Sequence, residues 1–325
     1  MFSWASLPRP IFGVSPMADM TDMPFNLVCK AHGAPVIFKE MVSSEALFRK
    51  SEKTIRMTTN DDGERPVIQQ IFGSDPVIMA KAAEFIVDRC HPDGIDINMG
   101  CPVYKIVSNF DGAALMKDPE RAASIVREIK KAVQVPVSVK TRLGWSNDRD
   151  CLDFVRVLED AGAELVTIHG RTKAQGYSGV ANWERVGEAK CGVSIPVLVN
   201  GDIVSPETAK RALEISGADG VLIGRGVLGH PWIFSEIQAA MNGSEYVPPT
   251  LQDRIRIVRM HAELQVNHYG ERGLIKLRKH LPYYFKGMAG WKDVRQELVH
   301  VSTLAELFEI LNRLEKIADV SFSES

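Results

Sequence analysis

The stretch GIDINMGCP, Gly94–Pro102, decides the fold of this chain. Its two isoleucines alternate with polar residues, a pattern that predicts a β-strand. The strand must end near Gly100 and Pro102, because glycine adopts backbone angles that a strand does not use and proline lacks an amide donor. Cys101 lies between these two residues. Its place on a rigid turn, with polar neighbours, predicts a thiol that faces a cavity; the alternative is a small apolar side chain that fills a gap in the core.

Short apolar strands recur along the chain, with helical patterns between them. Each predicted strand begins about 25 to 40 residues after the previous one, the length of a strand–helix unit. The predicted strands lie near Ile11–Ser15, Val36–Lys39, Val67–Phe72, Ile95–Asn98, Val137–Thr141, Leu165–His169, Val197–Asn200 and Gly220–Ile223. Three helices carry a capping residue followed by proline, at Asp75-Pro76, Asp118-Pro119 and Ser205-Pro206. Eight such units predict an α/β fold, a TIM (β/α)8 barrel rather than an open doubly wound sheet.

Beyond the eighth strand the pattern changes to helices alone. Apolar residues at helical spacing predict one amphipathic helix over residues 253–269 and another near residues 304–314. A turn-rich segment around Pro248-Pro249 precedes both helices. We therefore predict a barrel over residues 1–243 and a small all-helical domain over residues 244–325.

The composition is that of a globular protein with a full core: 325 residues, 45% hydrophobic, 25% charged, with a formal net charge of −2. The N-terminal residues lack a basic start followed by an apolar run, and no apolar run is long enough to span a membrane. The five cysteines are scattered, as in reduced proteins, and no Cys/His set has the spacing of a zinc site. We therefore expect a cytoplasmic protein with no membrane span and no bound metal.

Active sites of TIM barrels lie at the carboxyl ends of the strands. Here the strands end in polar or special residues, namely Pro16, Met17, Glu40, Gln70, Asn98, Cys101, Lys140, Arg142, His169, Arg171, Asn200, Asp202, Gly224 and Arg225. Lys140 and His169 follow neighbouring strands, so we predict that they share one cavity, where a cation beside an anionic ring system stabilises its charge. The alternatives are a solvated lysine and a core histidine.

Two glycine motifs, Asn200-Gly201-Asp202 and Gly224-Arg225-Gly226, follow the last two predicted strands. Barrel phosphate sites commonly occupy these positions, next to the start of a short extra helix. Glycine lets the backbone approach a ligand, Arg225 adds a charged fork, and residues 229–232 are placed to begin the helix. The motifs predict a phosphate-bearing ligand; the alternative is that the glycines only form tight turns.

A basic segment lies between the two predicted helices of the helical domain. Its cations are Arg272, Lys276, Arg278, Lys279, Lys286, Lys292 and Arg295, and its aromatic residues are Tyr283, Tyr284, Phe285 and Trp291. RNA-binding proteins use such cations to contact phosphates and such rings to stack on bases. The segment favours RNA binding; the alternative is a solvated helix face with aromatic side chains in the core.

Taken together, these motifs resemble those of the dihydrouridine synthases, FMN enzymes that reduce uridine in tRNA. The matching motifs begin at Ser15 (SPMADMTD), Ile97 (INMGCP), Val139 (VKTRLGW), His169 (HGRT), Gln175 (QGYSG), Asn200 (NGDI) and Ile223 (IGRG). The resemblance covers nearly the whole chain, the motif around Cys101 is highly specific, and the pattern is similar to the bacterial B-type subfamily. Ser15, Lys39 and the turn Phe110-Asp111-Gly112 depart from the family's pattern.

The resemblance implies an FMN cofactor. It sets the isoalloxazine ring against Pro16, Met17, Ala18, Gln70, Lys140 and His169, and the ribityl phosphate against Asn200, Gly201, Asp202, Gly224 and Arg225. It also implies that NADPH or NADH reduces FMN, that a hydride passes to C6 of a flipped uracil, and that Cys101 is the general acid that protonates C5. The implied uracil contacts are Asn98, Arg142, Arg171 and Tyr177.

The same resemblance implies tRNA contacts from Arg278, Lys279 and Lys286. Residues 1–243 would then be the FMN-binding catalytic domain and residues 244–325 the tRNA-binding domain, in a monomer whose partners are tRNA and NADPH. Two alternatives remain: an FMN barrel oxidoreductase of a small pyrimidine, and a flavin-free RNA-binding protein on a decayed barrel. A small substrate does not require the basic segment, and decay would erode Cys101, Lys140 and Arg225 first.

Overall fold

The computed structural model of the chain describes residues 2–287 and 291–323, apart from the side chains of residues 291–293 and 317–323. Its strands are β1 (Ile11–Val14), β2 (Val36–Phe38), β3 (Val42–Ser43), β4 (Val67–Phe72), β5 (Gly94–Asn98), β6 (Val137–Arg142), β7 (Leu165–His169), β8 (Val197–Asn200) and β9 (Gly220–Ile223). All eight predicted strands are confirmed, and β3 is a short addition. Lys292 and Trp291, which the sequence assigns to the basic segment, have side chains outside the described part.

Eight of these strands form a closed parallel ring. They pair in the order β2, β1, β9, β8, β7, β6, β5 and β4, and β4 pairs again with β2, while β3 lies beside β4. The ring confirms the predicted TIM barrel. The strands carry mainly apolar side chains because they are buried on both faces, but Gln70, Asp96, Ser138 and Thr167 are buried polar exceptions. One end is closed by Trp4, whose ring stacks on Phe38 with 5.8 Å between centroids.

The helices in the described residues alternate with the strands and then continue alone. They are α1 (Met23–Ala31), α2 (Ser44–Phe48), α3 (Glu52–Met57), α4 (Pro76–Cys90), α5 (Tyr104–Val107), α6 (Pro119–Ala132), α7 (Asp150–Asp160), α8 (Trp183–Lys190), α9 (Pro206–Ser216), α10 (Ile233–Asn242), α11 (Leu251–Tyr269), α12 (Gly273–Leu277), α13 (Leu281–Phe285), α14 (Trp291–Leu298) and α15 (Leu304–Ser323). Short 3₁₀ turns occur at Trp4–Ser6, Asp62–Glu64, Gly112–Lys117 and Arg225–Val227.

The predicted helix starts are confirmed by their capping hydrogen bonds. The Asp75 side chain accepts from the N–H of Val77 and of Ile78 at 2.9 Å each. Asp118 and Ser205 cap α6 and α9 in the same manner. A side-chain oxygen satisfies amide groups that the first helical turn leaves unpaired, so these caps set where each helix begins.

The structure divides into two compact units. One contains the residues up to Met23 and Ala34–Gly226, and the other contains Pro24–Gly33 and the described residues from Val227 onward. The first is called the barrel unit and the second the helical unit. The helical unit includes α10, because Trp232 at its start belongs to the apolar cluster of the later helices. The functional division at residues 243 and 244 stays a prediction.

The helical unit has its own core. Apolar side chains of α11, α12, α13 and α15 meet there, among them Ile255, Leu277, Tyr284 and Leu311, each with none of its surface exposed. The predicted amphipathic helices are thus present as α11 and α15. The helix expected to begin at residues 229–232 begins at Ile233, after a 3₁₀ turn at Arg225–Val227. No helix in the described ranges, 2–287 and 291–323, combines the length and apolar character that crossing a bilayer requires.

Candidate active site

The turn that carries Cys101, residues 99–103, is held from both sides and is called the Cys101 loop. The Asn98 side-chain oxygen accepts from the N–H of Gly100 at 3.2 Å and from the N–H of Cys101 at 2.9 Å. Arg142 Nε donates to the Gly100 carbonyl at 2.8 Å, and the N–H of Ala113 donates to the Cys101 carbonyl at 3.1 Å. These bonds hold the thiol in one position after β5.

The turn expected to differ from the family's pattern packs directly against this loop. Phe110 and Gly112 both adopt positive φ, 65° and 60°. A Cβ on Gly112 would lie 2.9 Å from the Cys101 carbonyl oxygen and 3.2 Å from its Cβ. Residue 112 must therefore be glycine for both its angle and its contact with Cys101.

Cys101 is half-buried, and burial raises the pKa of its thiol. A hydrogen bond from the backbone of Val103 and the positive charges of Arg142 and Lys140 act in the opposite direction and lower the pKa. Burial is the largest of these effects, so the group is a neutral thiol at neutral pH. A neutral thiol beside two cations can release a proton, because the cations stabilise the thiolate that remains.

A chain of buried polar side chains runs from the barrel interior to the Cys101 loop. Ser138 Oγ donates to Asp96 Oδ1 at 2.6 Å, and Gln70 Nε2 donates to Asp96 Oδ2 at 2.6 Å. Asn98 Nδ2 then donates to Gln70 Oε1 at 2.8 Å. Burial raises the pKa of Asp96 to about 6, although both hydrogen bonds and Lys140 oppose the increase. Asp96 is therefore largely ionised at neutral pH.

Lys140 lies beside Asn98 in the register of β5 and β6. Burial and the charge of Arg142 lower the pKa of its ammonium to about 8, and Asp96 and Cys101 partly compensate. In the described part of the chain this ammonium has no hydrogen-bond partner. A buried amine that remains mostly charged near neutral pH and has no acceptor is suited to an anionic or carbonyl-bearing ligand.

His169 ends β7, beside Arg142 on one side and Asn200 on the other. Burial lowers its pKa well below the ordinary value, and four surrounding cations lower it further, so the imidazole is neutral. Its Nδ1 is buried and has no hydrogen-bond partner among the described residues. Because unpaired buried nitrogens are costly, this atom is a candidate ligand contact.

The two arginines predicted to hold uracil are both engaged with the backbone. Arg142 Nη1 donates to the carbonyls of Thr172 and Gly176 at 3.1 and 2.9 Å, in addition to its bond to Gly100. Arg171 donates to the carbonyls of Ser178 and Gly179 and forms a two-bond pair with Asp202 at 2.9 and 2.7 Å. Through these bonds the two arginines hold the loop of residues 172–179 in place. A contact between either arginine and uracil stays a prediction.

Tyr177 projects from the loop that these arginines fix. Its side chain is 60% exposed. The guanidinium groups of Arg225 and Arg142 lie over its ring at 4.8 and 5.6 Å, and His169 meets it edge-on with 6.4 Å between centroids. The structure thus brings Tyr177, His169 and Arg225 together. An exposed ring flanked by cations is a surface on which a base can stack.

In the two predicted phosphate motifs, the backbone requires glycine at some positions and not at others. Gly201 has a φ of +112°, and a Cβ on Gly226 would lie 2.3 Å from the Ile203 carbonyl, so both glycines are needed for the backbone. A Cβ on Gly224 would meet nothing closer than 3.8 Å. In the described residues, the N–H groups of Gly201 and Gly224 donate to no protein acceptor. The open space beside the unpaired amide of Gly224 matches an anion site.

The carboxylate of Asp202, in the first of these motifs, is engaged within the protein. Its carboxylate accepts from Arg171 and from the N–H of Ala181 at 2.7 Å, which lowers its pKa. The pairing with Arg171 neutralises a charge that would otherwise repel a phosphate. Asn200 Nδ2 is also engaged, donating to the Leu222 carbonyl at 2.7 Å.

The first loop of the barrel, with Pro16, Met17 and Ala18, closes on itself. Met17 N–H donates to Thr21 Oγ1 at 2.9 Å, and the N–H groups of Met20 and Thr21 donate to the Met17 carbonyl. Pro16 and Met17 are half-buried, and Ala18 is exposed. The loop presents a small, rigid apolar surface at the same end of the barrel as Cys101.

Comparison with known proteins decides the family. The family model described as "Dihydrouridine synthase (Dus)" matches residues 13–321. The chain is 37% identical over 303 residues to the probable tRNA-dihydrouridine synthase 1 of Synechocystis sp., covering 92% of this chain and 84% of that protein. It is 39% identical over 285 residues to tRNA-dihydrouridine synthase B of Pseudomonas putida, covering 87% and 84%.

This chain belongs to the dihydrouridine synthase family. The predicted resemblance is confirmed, including relatives that carry the B-type name. Among solved structures, histamine dehydrogenase from Rhizobium sp. 4-9 superimposes with a TM-score of 0.57 at 13% identity, covering 78% of this chain and 49% of that one. This second likeness concerns the barrel fold alone.

The basic segment of this dihydrouridine synthase is only partly at the surface. Arg278 donates to the carbonyls of Val301 and His300 at 2.8 Å each and to Ser302 Oγ at 2.9 Å, so its guanidinium holds the loop before α15. Lys279 is half-buried, and Lys286 is exposed. Tyr284 and Phe285 are core residues, whereas Tyr283 is 45% exposed. The alternative of core aromatics is thus correct for two of the rings.

Three residues of interest escaped the sequence analysis. Asp96 and Ser138 occupy alternating polar positions inside otherwise apolar strands, which is the one signal that marks them. Tyr104 follows Cys101 by three residues and is 83% exposed. In residues 2–287 and 291–323, no group of three or more His, Cys, Asp or Glu side chains is arranged to hold a metal ion.

Proposed function

We propose that the protein is a tRNA-dihydrouridine synthase that reduces the C5–C6 double bond of uridines in tRNA with FMN and NADPH, or NADH, as the reductant. Family membership and the names of its relatives support this activity. The observation that carries the proposal is the neutral, half-buried Cys101 thiol, held on its loop beside Lys140 and Arg142. A neutral thiol in this position can donate its proton to a substrate that binds beside it.

The residues at the mouth of the barrel suit FMN. The apolar surface of Pro16, Met17 and Ala18 would support the isoalloxazine ring, while Gln70, Lys140 and His169 would meet its polar edge. Lys140 lacks a hydrogen-bond partner among the described residues, and so does His169 Nδ1. Both groups therefore gain a partner when a heteroaromatic ring with carbonyl oxygens binds.

The phosphate of the cofactor would bind the motifs after β8 and β9. The N–H groups of Gly201 and Gly224 and the exposed Arg225 offer donors, and a ligand can approach Gly224 because no side chain stands there. Asp202 takes part through its backbone, since Arg171 neutralises its carboxylate. Asn200 takes part by bracing the loop through its bond to Leu222.

When bound, FMN would supply the hydride chemistry at C6 of the uracil, with NADPH as the source of the electrons. The hydride leaves negative charge on C5 and on the adjacent carbonyl, and Cys101 Sγ–H delivers the proton that completes the reduction at C5. Lys140 and Arg142 stabilise the thiolate, which regains its proton from solvent. Asn98 and Lys140 lie side by side and would orient the uracil.

The substrate is proposed to be tRNA rather than a free pyrimidine. A flipped uridine reaches the barrel mouth past Tyr177, whose ring is exposed between Arg142 and Arg225. In the helical unit, Lys279 and Lys286 are the proposed phosphate contacts, and Arg278 is proposed to support them through its loop. We further propose a monomeric, cytoplasmic enzyme.

One experiment tests the activity directly. The purified protein is examined for flavin absorbance and is then incubated with NADPH and an unmodified tRNA transcript, and dihydrouridine is measured by mass spectrometry. We expect a yellow protein and dihydrouridine in the tRNA. Reduction of free uracil but not of tRNA would favour a small-pyrimidine oxidoreductase. A colourless protein that binds tRNA without reducing it would favour the flavin-free alternative.

A further inference from the structure

Asn98 holds the Cys101 loop only in one orientation of its side-chain amide. Its oxygen must face the loop to accept from Gly100 and Cys101, so its nitrogen must face away and donate. The amide nitrogen donates to Gln70 Oε1 at 2.8 Å and to the weaker acceptor Met41 Sδ at 3.4 Å. If the Asn98 amide rotated by half a turn, its NH₂ group would face the N–H groups of Gly100 and Cys101, and no hydrogen bond could form between these donors. The orientation of Gln70, which presents an oxygen to Asn98, therefore supports the one orientation in which Asn98 can hold the loop.

Gln70 is itself an amide that fits its pocket in either orientation by shape alone. Its environment contains one group that distinguishes the two ends, the buried carboxylate of Asp96. An ionised carboxylate accepts hydrogen bonds and never donates, so Gln70 must direct its nitrogen to Asp96, at 2.6 Å. Its oxygen then faces Asn98. Ser138 saturates the other carboxylate oxygen at 2.6 Å.

We propose that Asp96 is a positioning residue for Cys101: through Gln70 and then Asn98, its carboxylate sets the donor and acceptor directions that hold the Cys101 loop. The proposal rests on the proposed role of Cys101 as proton donor. The polar chain explains why an acid lies inside an apolar barrel, where burial of a charge is unfavourable. Asp96 does not touch the reacting atoms; it acts through two amides in series.

The direction of these hydrogen bonds can be tested by exchanging the carboxylate of Asp96 and the amide of Asn98 between their two positions. In Asn98→Asp, Gln70 lies between two carboxylates and can donate to only one. In Asp96→Asn with Asn98→Asp, the chain is consistent again in reverse, because Asn at 96 donates to Gln70 Oε1, Gln70 donates to Asp at 98, and Asp at 98 accepts from the loop. The single change Asp96→Asn is also tolerated, since Ser138 can accept as well as donate.

The measurement is the thermal unfolding midpoint of the full chain as purified. We expect N98D to lower the midpoint by about 6 °C and D96N/N98D to recover at least half of that loss. If D96N and N98D instead act additively, the proposal is overturned. The readout needs neither FMN nor tRNA, so it stands or fails independently of the proposed activity.

Two controls separate relayed orientation from simple charge repulsion. Asn200 is another buried strand-end amide, which donates to Leu222 and has no link to Gln70. We therefore expect N200D to lower the unfolding midpoint by the same amount with and without D96N. In a Gln70→Met background the recovery in D96N/N98D should disappear, because the relay is interrupted. Recovery that persists without Gln70 would show direct repulsion and would contradict the relay.

A second readout reports on the Cys101 loop itself. The rate of alkylation at Cys101 is followed by mass spectrometry, with the exposed Cys191 in the same sample as reference. Asp96→Ala removes the acceptor and should make Cys101 alkylation about tenfold faster, since a freed loop opens more often. D96N removes the same charge but keeps an acceptor, and should stay within about twofold of the parent. Equal rates in both variants would overturn the proposal.

Discussion

The two units of this protein differ in the ionisable side chains that they bury: the barrel unit buries charged groups as well as the neutral His169, and the helical unit buries neutral histidines. In the barrel unit, Asp96 is buried as a largely charged group and accepts two hydrogen bonds, and Lys140 lies at the same end of the strands. In the helical unit, His261 and His280 are fully buried and neutral. The rings of these histidines lie 4.9 Å apart. Each unit therefore contains groups whose pKa departs from the ordinary value.

The environments of the two sets show which one serves chemistry. His280 packs against Phe25 at 4.7 Å, and neither of its ring nitrogens has a hydrogen-bond partner in the described residues. His261 Nδ1 lies 3.1 Å from the Tyr284 hydroxyl. These histidines behave as core side chains sealed from any reactant. In the barrel unit, by contrast, the groups with shifted pKa values, Asp96 and Lys140, lie near the half-buried thiol of Cys101. A shifted pKa therefore indicates a catalytic site only where a reactant can reach the group.

The largest effect should come from the thiol of the barrel unit. Cys101→Ala is expected to reduce uridine reduction by about a thousandfold, because a positioned general acid contributes two to four orders of magnitude. Flavin binding and the unfolding midpoint should stay near those of the parent, since the side chain is small and half-buried. Single-turnover dihydrouridine formation is the measurement. Cys191→Ala, at an exposed cysteine, is the matched control, and comparable turnover in both variants would remove Cys101 from the mechanism.

The next effect concerns acid, where two buried groups, His261 of the helical unit and Asp96 of the barrel unit, should change stability in opposite directions. The pKa of His261 is lowered from 6.5 to about 3 by burial, so below pH 6.5 the unfolded chain binds more protons and the helical unit loses stability. For His261 alone the loss between pH 7 and pH 5 is about 2 kcal/mol. The pKa of Asp96 is raised from 3.8 to about 6, so in that window the folded barrel binds more protons and this group favours folding as the pH falls.

Hydrogen exchange by mass spectrometry measures the acid response of the helical unit. Peptides from α11 and α13 should lose protection between pH 6.5 and pH 4. His261→Leu should reduce the pH dependence in the helical unit, with His91→Leu, at an exposed histidine, as the control. If His261→Leu leaves the pH dependence of these peptides as steep as in the parent, His261 does not set the acid limit of the helical unit.

The smallest effect compares two cations within the helical unit. Lys286→Ala should weaken tRNA binding several-fold and reduce the salt dependence by about one phosphate contact, with no change in stability. Arg278→Ala should instead lower the free energy of unfolding by about 1–3 kcal/mol, because it removes hydrogen bonds to His300, Val301 and Ser302. A salt titration of tRNA affinity and a urea titration distinguish them. If Lys286→Ala leaves the salt slope unchanged, this face does not contact tRNA.

The sequence by itself was enough to predict the barrel and to name the strand-end residues that we propose as its site. The strands, the proline-started helices and the turn at Gly100 depend on residues adjacent in the chain, so local chemistry decides them. Because the carboxyl ends of parallel strands meet at one end of a barrel, Gln70, Asn98, Lys140 and His169 could be grouped before any coordinates. The structure pairs Asn98 with Lys140 in the strand register and hydrogen-bonds Asn98 to Gln70; the roles of all four residues toward a cofactor stay predictions.

Tertiary structure alone decided how the side chains at that end are used. Arg171 pairs with Asp202, 31 residues away, and Arg142 binds carbonyls of two separate loops. Asp96 directs Gln70, which lies 26 residues earlier. The helix Met23–Ala31 is enclosed in the first third of the chain, yet nearly all of it belongs to the helical unit. The fold decides which distant segments come within hydrogen-bond distance of a side chain. Residue type and spacing in the sequence do not identify that partner.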